Sequence, residues 1–217
     1  QKQREISEDV LQVLVLFFAN LLQRLILSFE KNLQRVYVLL YTLNLRVFLL
    51  NSRFGNLLFD VDPEPPATFE DGITIALLVK EKLDKLGLQS YVKTSGKKGL
   101  HIVIPIQRDQ PYRVTREFAH VIGQYLARET EIVVSEFSET KKPNKVFIDY
   151  TQNSHGKTMV TPYGLRATPD ATVSTPLEWK EVKKGLKPET LNLFSVVNRK
   201  KDPWKGILDK RQKLEVK

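Results

Sequence analysis

Three short stretches carry polar groups where a core strand would carry apolar ones. They are Leu58-Phe59-Asp60-Val61-Asp62, Lys93-Thr94-Ser95-Gly96-Lys97-Lys98-Gly99-Leu100-His101 and Val146-Phe147-Ile148-Asp149-Tyr150. Each reads as a strand or a strand-entry loop, so the fold must bring several strand ends to a common polar surface. Between them the apolar spacing turns helical. Phe69, Ile73, Leu77, Leu83 and Leu86 mark one inward-facing stripe, opened by Thr68 with Asp71 three residues on and closed by Gly87. Val114, Phe118, Val121, Ile122 and Leu126 mark a second, over residues 112–129. Strands are expected at 57–62, 89–93, 100–106, 132–134 and 145–150, with Pro63-Glu64-Pro65-Pro66 as a rigid break and a short helix at 178–186. Hairpin-like strand pairs alongside crossovers predict an α+β fold, a mixed sheet flanked by helices, rather than a doubly wound parallel one.

The remaining chain adds limits. Its 217 residues suit one domain or two closely packed lobes, and a formal charge of +9 points to a polyanionic partner, nucleic acid before a membrane surface. There is no cysteine, which excludes disulfides and cysteine-held zinc or iron–sulfur sites and fits a reducing cytoplasm. No secretory signal is visible. Residues 10–27 are apolar, but Gln12, Asn20, Gln23 and Arg24 interrupt them, which predicts a buried helix and not a membrane span. Residues 1–50 carry no recognisable motif, and the basic run 200–217 reads as a partly mobile tail.

Asp60 and Asp62, two apart on a strand, project from one face. Such a pair is costly to bury unless cations offset it, and hard oxygen donors suit Mg²⁺ or Mn²⁺. Taken alone, an Asp-x-Asp is equally a solvated strand end. Asp149, at the end of another apolar strand, would complete a site for two ions if that strand lay beside the first. Ser95-Gly96-Lys97-Lys98-Gly99 offers glycines, a hydroxyl and lysines to an anion, without the spacing or following helix of a Walker A loop. His101 could donate to a phosphate or be a satisfied core histidine, Lys97 and Lys98 could be a solvated turn, and Arg166 could clamp phosphate. His120 and His155 read as surface residues, and Trp179 and Trp204 as packing groups. Three carboxylates and a histidine also suit a metal-dependent nuclease, but a nuclease has no triphosphate to cradle.

These stretches occur in order with Phe147-Ile148-Asp149-Tyr150-Thr151-Gln152-Asn153, Pro162-Tyr163-Gly164-Leu165-Arg166-Ala167 and Val173-Ser174-Thr175-Pro176-Leu177. Over residues 51–204 the chain resembles the polymerase domain of bacterial ligase D and its stand-alone archaeal relatives, in the archaeo-eukaryotic primase superfamily. The resemblance implies a primase-polymerase fold, an RRM-like catalytic sheet packed against a second small αβ lobe. Residues 1–50 would be a divergent N-terminal segment packed on a 51–204 core, with 205–217 a basic tail. It implies template-directed addition of ribo- or deoxyribonucleotides at DNA ends, gaps and template-primers in end joining. A separate DNA ligase and an end-binding protein are implied as partners, a prokaryotic nucleoid as the setting, and no membrane. By position, Asp60, Asp62 and Asp149 would be catalytic and hold two Mn²⁺ or Mg²⁺ ions. Ser95, Lys98, His101, Lys142, Gln152 and Arg166 would contact the nucleoside triphosphate. The chain departs from the family at Thr168, where a second arginine is frequent, and the family's lysine-bearing N-terminal portion is not apparent in residues 1–50. A DNA-end-binding module without turnover on the same scaffold is the rival reading.

Overall fold

The computed structural model describes residues 55–139 and 143–214. The expected helix at 10–27, the whole 1–50 segment and Lys142 lie outside them. The elements run β1 (Asn56–Glu64), α1 (Phe69–Lys85), β2 (Tyr91–Thr94), β3 (Leu100–Pro105), α2 (Tyr112–Glu129), β4 (Val133–Val134), β5 (Lys145–Asp149), β6 (Pro176–Leu177) and α3 (Leu193–Val197), joined by 3₁₀ turns. Six strands form one sheet in the order β4-β5-β1-β3-β2-β6. Every pairing is antiparallel except β4 with β5. The four central strands, β5-β1-β3-β2, with one helix between β1 and β2 and another between β3 and β5, reproduce the split βαβ arrangement of RRM-like sheets. The fold is α+β, as expected. The described residues contain one sheet, and no separate second sheet stands among them.

Alternation along the strands gives the sheet two unlike faces. Leu57, Phe59 and Val61 of β1, Leu100, Ile102 and Ile104 of β3, Val92 of β2, and Val146 and Ile148 of β5 face α1 and α2 in the main core. Each large apolar side chain buried there contributes about 1.5–3 kcal/mol. On the opposite face a smaller cluster of Leu58, Val103, Trp204 and Ile207 covers one end. Polar groups occupy the other end.

The helix start was legible: Thr68 Oγ1 accepts from the Asp71 N–H, and Asp71 Oδ2 accepts from the Thr68 N–H at 2.7 Å. Several expectations need correction. Leu77 of α1, Leu86 at its C-terminal cap and Val121 of α2 are exposed. The expected Ile73, Leu83 and Leu126 are buried, and Phe69, Phe118 and Ile122 pack partly buried against the core, but Ala76, Val79, Thr115, Ala119 and Gly123 complete the inner stripes. Small residues fill the inner stripe of α2 because it lies close over the sheet: a Cβ on Gly123 would come 3.1 Å from Ser135 Cβ. The strand β1 does not break at Pro63 but continues to Glu64. Its pairing with β3 stops at Val61, and proline is tolerated where a strand has one neighbour. The expected helix at 178–186 is only a 3₁₀ turn, Trp179–Glu181. Nor do residues 201–214 trail away. Trp204, Ile207 and Leu214 are buried, Trp204 Nε1 donates to Val92 O at 3.1 Å, and Gln212 exchanges side-chain bonds with the backbone of Gln89. Among the described residues no helix is long and apolar enough to cross a membrane.

Candidate active site

Strand register decides what can meet on the polar face. Lys93 pairs with His101, His101 with Asp60, and Asp60 with Asp149. Directly paired residues share a face, with Cβ atoms about 4.5–5.5 Å apart. The four therefore form one polar row across β2, β3, β1 and β5. Asp62 lies one step along β1 on the same face. The inference that Asp149 ends a strand beside Asp60 and Asp62 thus holds as geometry.

The row is bonded from one end. Lys93, fully buried, places Nζ 2.8 Å from His101 Nδ1 and 2.7 Å from Ser174 Oγ. His101 Nε2 lies 3.3 Å from Asp60 Oδ1. Burial pushes the Lys93 amine well below its ordinary range, and Arg166 adds to the shift while Asp60 opposes it. Burial, and then the Lys93 charge, lowers His101 in the same way. At the other end Asp149 serves as a local cap. Its Oδ1 accepts from Thr151 N–H at 2.9 Å and from Thr151 Oγ1 at 2.6 Å, and its Oδ2 accepts from Gln152 Nε2 at 3.0 Å. Asp62 is 3.4 Å from Lys98 Nζ, which also bonds Glu64 at 2.7 Å. Burial and the Asp60 charge raise the Asp62 carboxyl above its ordinary range. For Lys98 burial acts downward, but the Glu64 bond and the Asp62 charge win and hold it high.

The Ser95–Gly99 loop closes on itself. Ser95 N–H donates to Gly99 O at 2.8 Å, and Ser95 Oγ accepts from Gly99 N–H at 3.0 Å and Lys97 N–H at 3.2 Å. Two of the loop's amides thus hold Ser95 rather than an anion, and the Ser95 hydroxyl proton remains available to donate. Both glycines are there for space. A Cβ on Gly99 would lie 2.5 Å from Val61 O and 3.2 Å from Asp62 Oδ1. Gly96, at φ +72°, would drive a Cβ to 2.5 Å from Arg166 Cγ and 2.9 Å from the Ser174 amide. The loop thus lies against the acidic strand on one side and the Arg166 segment on the other.

Between them opens a cleft of about 190 Å³, lined by Asp60, Ser95, His101, Gln152 and Arg166 with Leu58 and Met159. Five expected site residues therefore meet in one cavity. Asp149 reaches it through Gln152, whereas Asp62 and Lys98 pair outside its lining. Lys142 belongs to the undescribed stretch. Sequence reasoning missed Lys93, Ser174, Glu64 and Asn153. Lys93 had a signal, because it falls in step with His101 across a short hairpin. Asn153 had none. Its buried amide accepts from Leu58 N–H at 2.8 Å and donates to Leu58 O at 2.7 Å, replacing the strand neighbour that β1 loses beyond Asp149. His120 is likewise not merely superficial. It bonds Glu136 at 2.7 Å and stacks on Tyr150 at 4.0 Å between centroids, bracing the turn after Asp149.

The donor set suits a hard divalent cation, since three carboxylates stand on one face of two adjacent strands, and burial together with the Asp60 charge raises the Asp62 carboxyl. Among the described residues, however, no three acidic or histidine groups already converge as a finished metal cage. Each carboxylate is held by protein donors that a cation would displace.

The family described as LigD, primase-polymerase domain, matches residues 33–204. That match enters the segment for which the sequence offered no motif. The multifunctional non-homologous end joining protein LigD of Pseudomonas aeruginosa is 32% identical over 172 residues, which cover 75% of this chain and 20% of that protein. The bifunctional non-homologous end joining protein LigD of Bacillus subtilis is 32% identical over 151 residues, 69% of this chain and 25% of that protein. The chain thus spans a fifth to a quarter of these curated relatives. Among solved structures, the polymerase domain from Mycobacterium tuberculosis ligase D, in complex with DNA, superposes with a TM-score of 0.64 at 29% identity. The superposition covers 72% of this chain and 56% of that one.

Proposed function

Because the chain belongs to the LigD primase-polymerase domain family, we propose that it is a template-directed nucleotidyl transferase that extends DNA ends and fills gaps in end joining. The observation that carries this reading is the polar row, which sets a carboxylate pair, Asp60 and Asp149, beside a histidine at the mouth of a cleft containing Ser95 and Arg166. Asp60, Asp62 and Asp149 would hold two Mg²⁺ or Mn²⁺ ions. When bound, such ions lower the pKa of an attacking hydroxyl and offset charge on the transferring phosphoryl group. The protein groups do the rest. His101 and the Ser95 hydroxyl donate to triphosphate oxygens, and Arg166 supplies a planar cationic fork. Lys98, paired here with Asp62 and Glu64, would turn to the phosphates. Gln152 steadies Asp149. The primer 3′-hydroxyl attacks the α-phosphorus, and pyrophosphate departs. The +9 formal charge supports binding of a DNA backbone. A DNA ligase and an end-binding protein would act with it, because the relatives it matches are non-homologous end joining proteins.

The carboxylates' present engagement with Thr151, Gln152, His101 and Lys98 favours one rival, a DNA-end-binding module that does not turn over. Extension of a labelled primer on gapped DNA with Mn²⁺, comparing ribo- with deoxyribonucleoside triphosphates, separates the two. Template-dependent products that vanish in Asp149→Ala support the polymerase. Salt-sensitive DNA binding without any product leaves the end-binding module.

A further inference from the structure

Lys93 is a fully buried lysine in the middle of a strand, and nothing in the proposed chemistry uses it directly. A buried amine is retained only where its hydrogens are spoken for. Lys93 Nζ has two neighbours. Ser174 Oγ, 2.7 Å away, gives its own proton to Thr94 O at 2.7 Å, so it must accept from Lys93. The other neighbour is His101 Nδ1 at 2.8 Å.

The imidazole has only two ways to carry one proton, and its surroundings distinguish them. An Nδ1–H would need the Lys93 lone pair as its acceptor, and it would leave the Nε2 lone pair facing Asp60 Oδ1 at 3.3 Å, acceptor against acceptor. An Nε2–H satisfies both sides at once: Lys93 donates to Nδ1, and Nε2–H donates to the carboxylate. A doubly protonated ring is disfavoured by its burial. The segment that brings Ser174 is itself fixed to β2. Thr94 Oγ1 donates to Val173 O and accepts from Thr175 N–H, and Thr94 N–H donates to Thr175 O. The amine therefore has little freedom to leave.

We propose that Lys93 is a positioning residue that fixes His101 in its Nε2–H tautomer, so that the imidazole keeps on its cleft side an N–H that Asp60 accepts here and a ligand oxygen can take over. The consequence is chemical selectivity for anions. An Nε2–H attracts a phosphate oxygen, whereas an Nε2 lone pair would repel one. Arg166 adds positive charge beside the same ring. The functional part rests on reading the cleft as a triphosphate site. The tautomer itself does not.

The test is long-range ¹H–¹⁵N correlation of the histidine side chains in the ¹⁵N-labelled full chain near neutral pH, where the chain has only three histidines. Loss of one signal set in His101→Gln assigns the ring. The wild type is expected to show the Nε2–H pattern at His101, and Lys93→Met is expected to show mixed tautomers. In the extension assay, Lys93→Met is expected to raise the nucleotide KM by about 10- to 100-fold with a smaller change in kcat. An Nδ1–H ring in the wild type overturns the proposal even if Lys93→Met does not fold. An Nε2–H ring that persists unchanged in folded Lys93→Met also overturns it. If the wild type shows the expected tautomer but incorporates no nucleotide, the polymerase reading fails and the positioning role stands.

Discussion

The two ends of the polar row are built differently. At the Lys93–His101 end both side chains are buried and every bond runs to another strand or to the Val173–Thr175 segment laced onto β2. At the Asp149–Asp62 end the carboxylates are half-exposed: Asp149 is tied to the turn that follows it, Asp62 to an exposed lysine on the adjoining hairpin. Buried bonds hold a donor in one geometry. Bonds to partly solvated acids can be exchanged for metal–oxygen bonds at modest cost. One end is thus set before a ligand arrives, and the other is completed by it.

The widest gap between the ends should appear in catalysis. Asp60→Ala or Asp149→Ala is expected to lower metal-dependent primer extension by at least about 10³-fold. DNA binding, followed by fluorescence anisotropy, should change little. Extension that survives either substitution would mean that the carboxylate end is not where cations act. A large effect is expected next at Asn153, which bridges the two ends by pairing with Leu58 in place of a strand. Asn153→Ala leaves the Leu58 N–H and C=O buried and unpaired, which should cost about 2–4 kcal/mol in urea unfolding. A loss below about 1 kcal/mol would show that water reaches that edge and that the turn after Asp149 is held some other way.

How much of this could be read from the chain follows the same division. The helix-facing side of the sheet was legible, because alternation and helical spacing depend on the hydrophobic effect alone. The α2 limits, the Thr68–Asp71 cap and the strand positions of Asp60, His101 and Asp149 follow from it. Leu77, Leu86 and Val121 went wrong because an apolar residue is free to sit on the surface, while Gly123 shows that close packing selects a small residue, which a hydropathy pattern undervalues. On the polar face the motif residues were legible one by one but their bonds were not. Lys93, Ser174 and Asn153 reach partners 8, 81 and 95 positions away, and register creates those contacts. Glu64 hid behind prolines that suggested the strand had ended, although β1 carries on far enough for it to claim Lys98.

The loop joining the two ends gives a smaller test. Gly99→Ala puts a methyl group 2.5 Å from Val61 O, a backbone atom that cannot step aside, so the hairpin must lift from β1. We expect a loss of about 1–3 kcal/mol in chemical denaturation, together with weaker nucleotide binding, since Ser95 and Lys98 would move with it. A variant as stable as the wild type would mean that the hairpin can shift without cost, and that the donor side is less fixed than its bonds suggest.

The smallest expected effect concerns Asp62. Its carboxyl is raised by burial and by the Asp60 charge above the ordinary value of 3.8. As pH rises past 3.8, the unfolded chain releases this proton first and the folded chain keeps it longer, so folding stability declines through that window and stays lower above it. Below 3.8 both states are protonated and the penalty is absent. Asp62→Asn removes the ionisation, and Glu64 retains Lys98 at 2.7 Å. The variant should therefore be slightly more stable than the wild type at neutral pH without divalent cations. Because the Asp62 side chain is 34% exposed, the gain should stay below about 1 kcal/mol, and it should disappear in melts run below pH 3.8. Adding Mn²⁺ should stabilise the wild type more than the variant, reversing the order. A variant that is less stable at neutral pH without cations would mean that Lys98 already neutralises Asp62 in full, and that the acidic end is as settled as the histidine end.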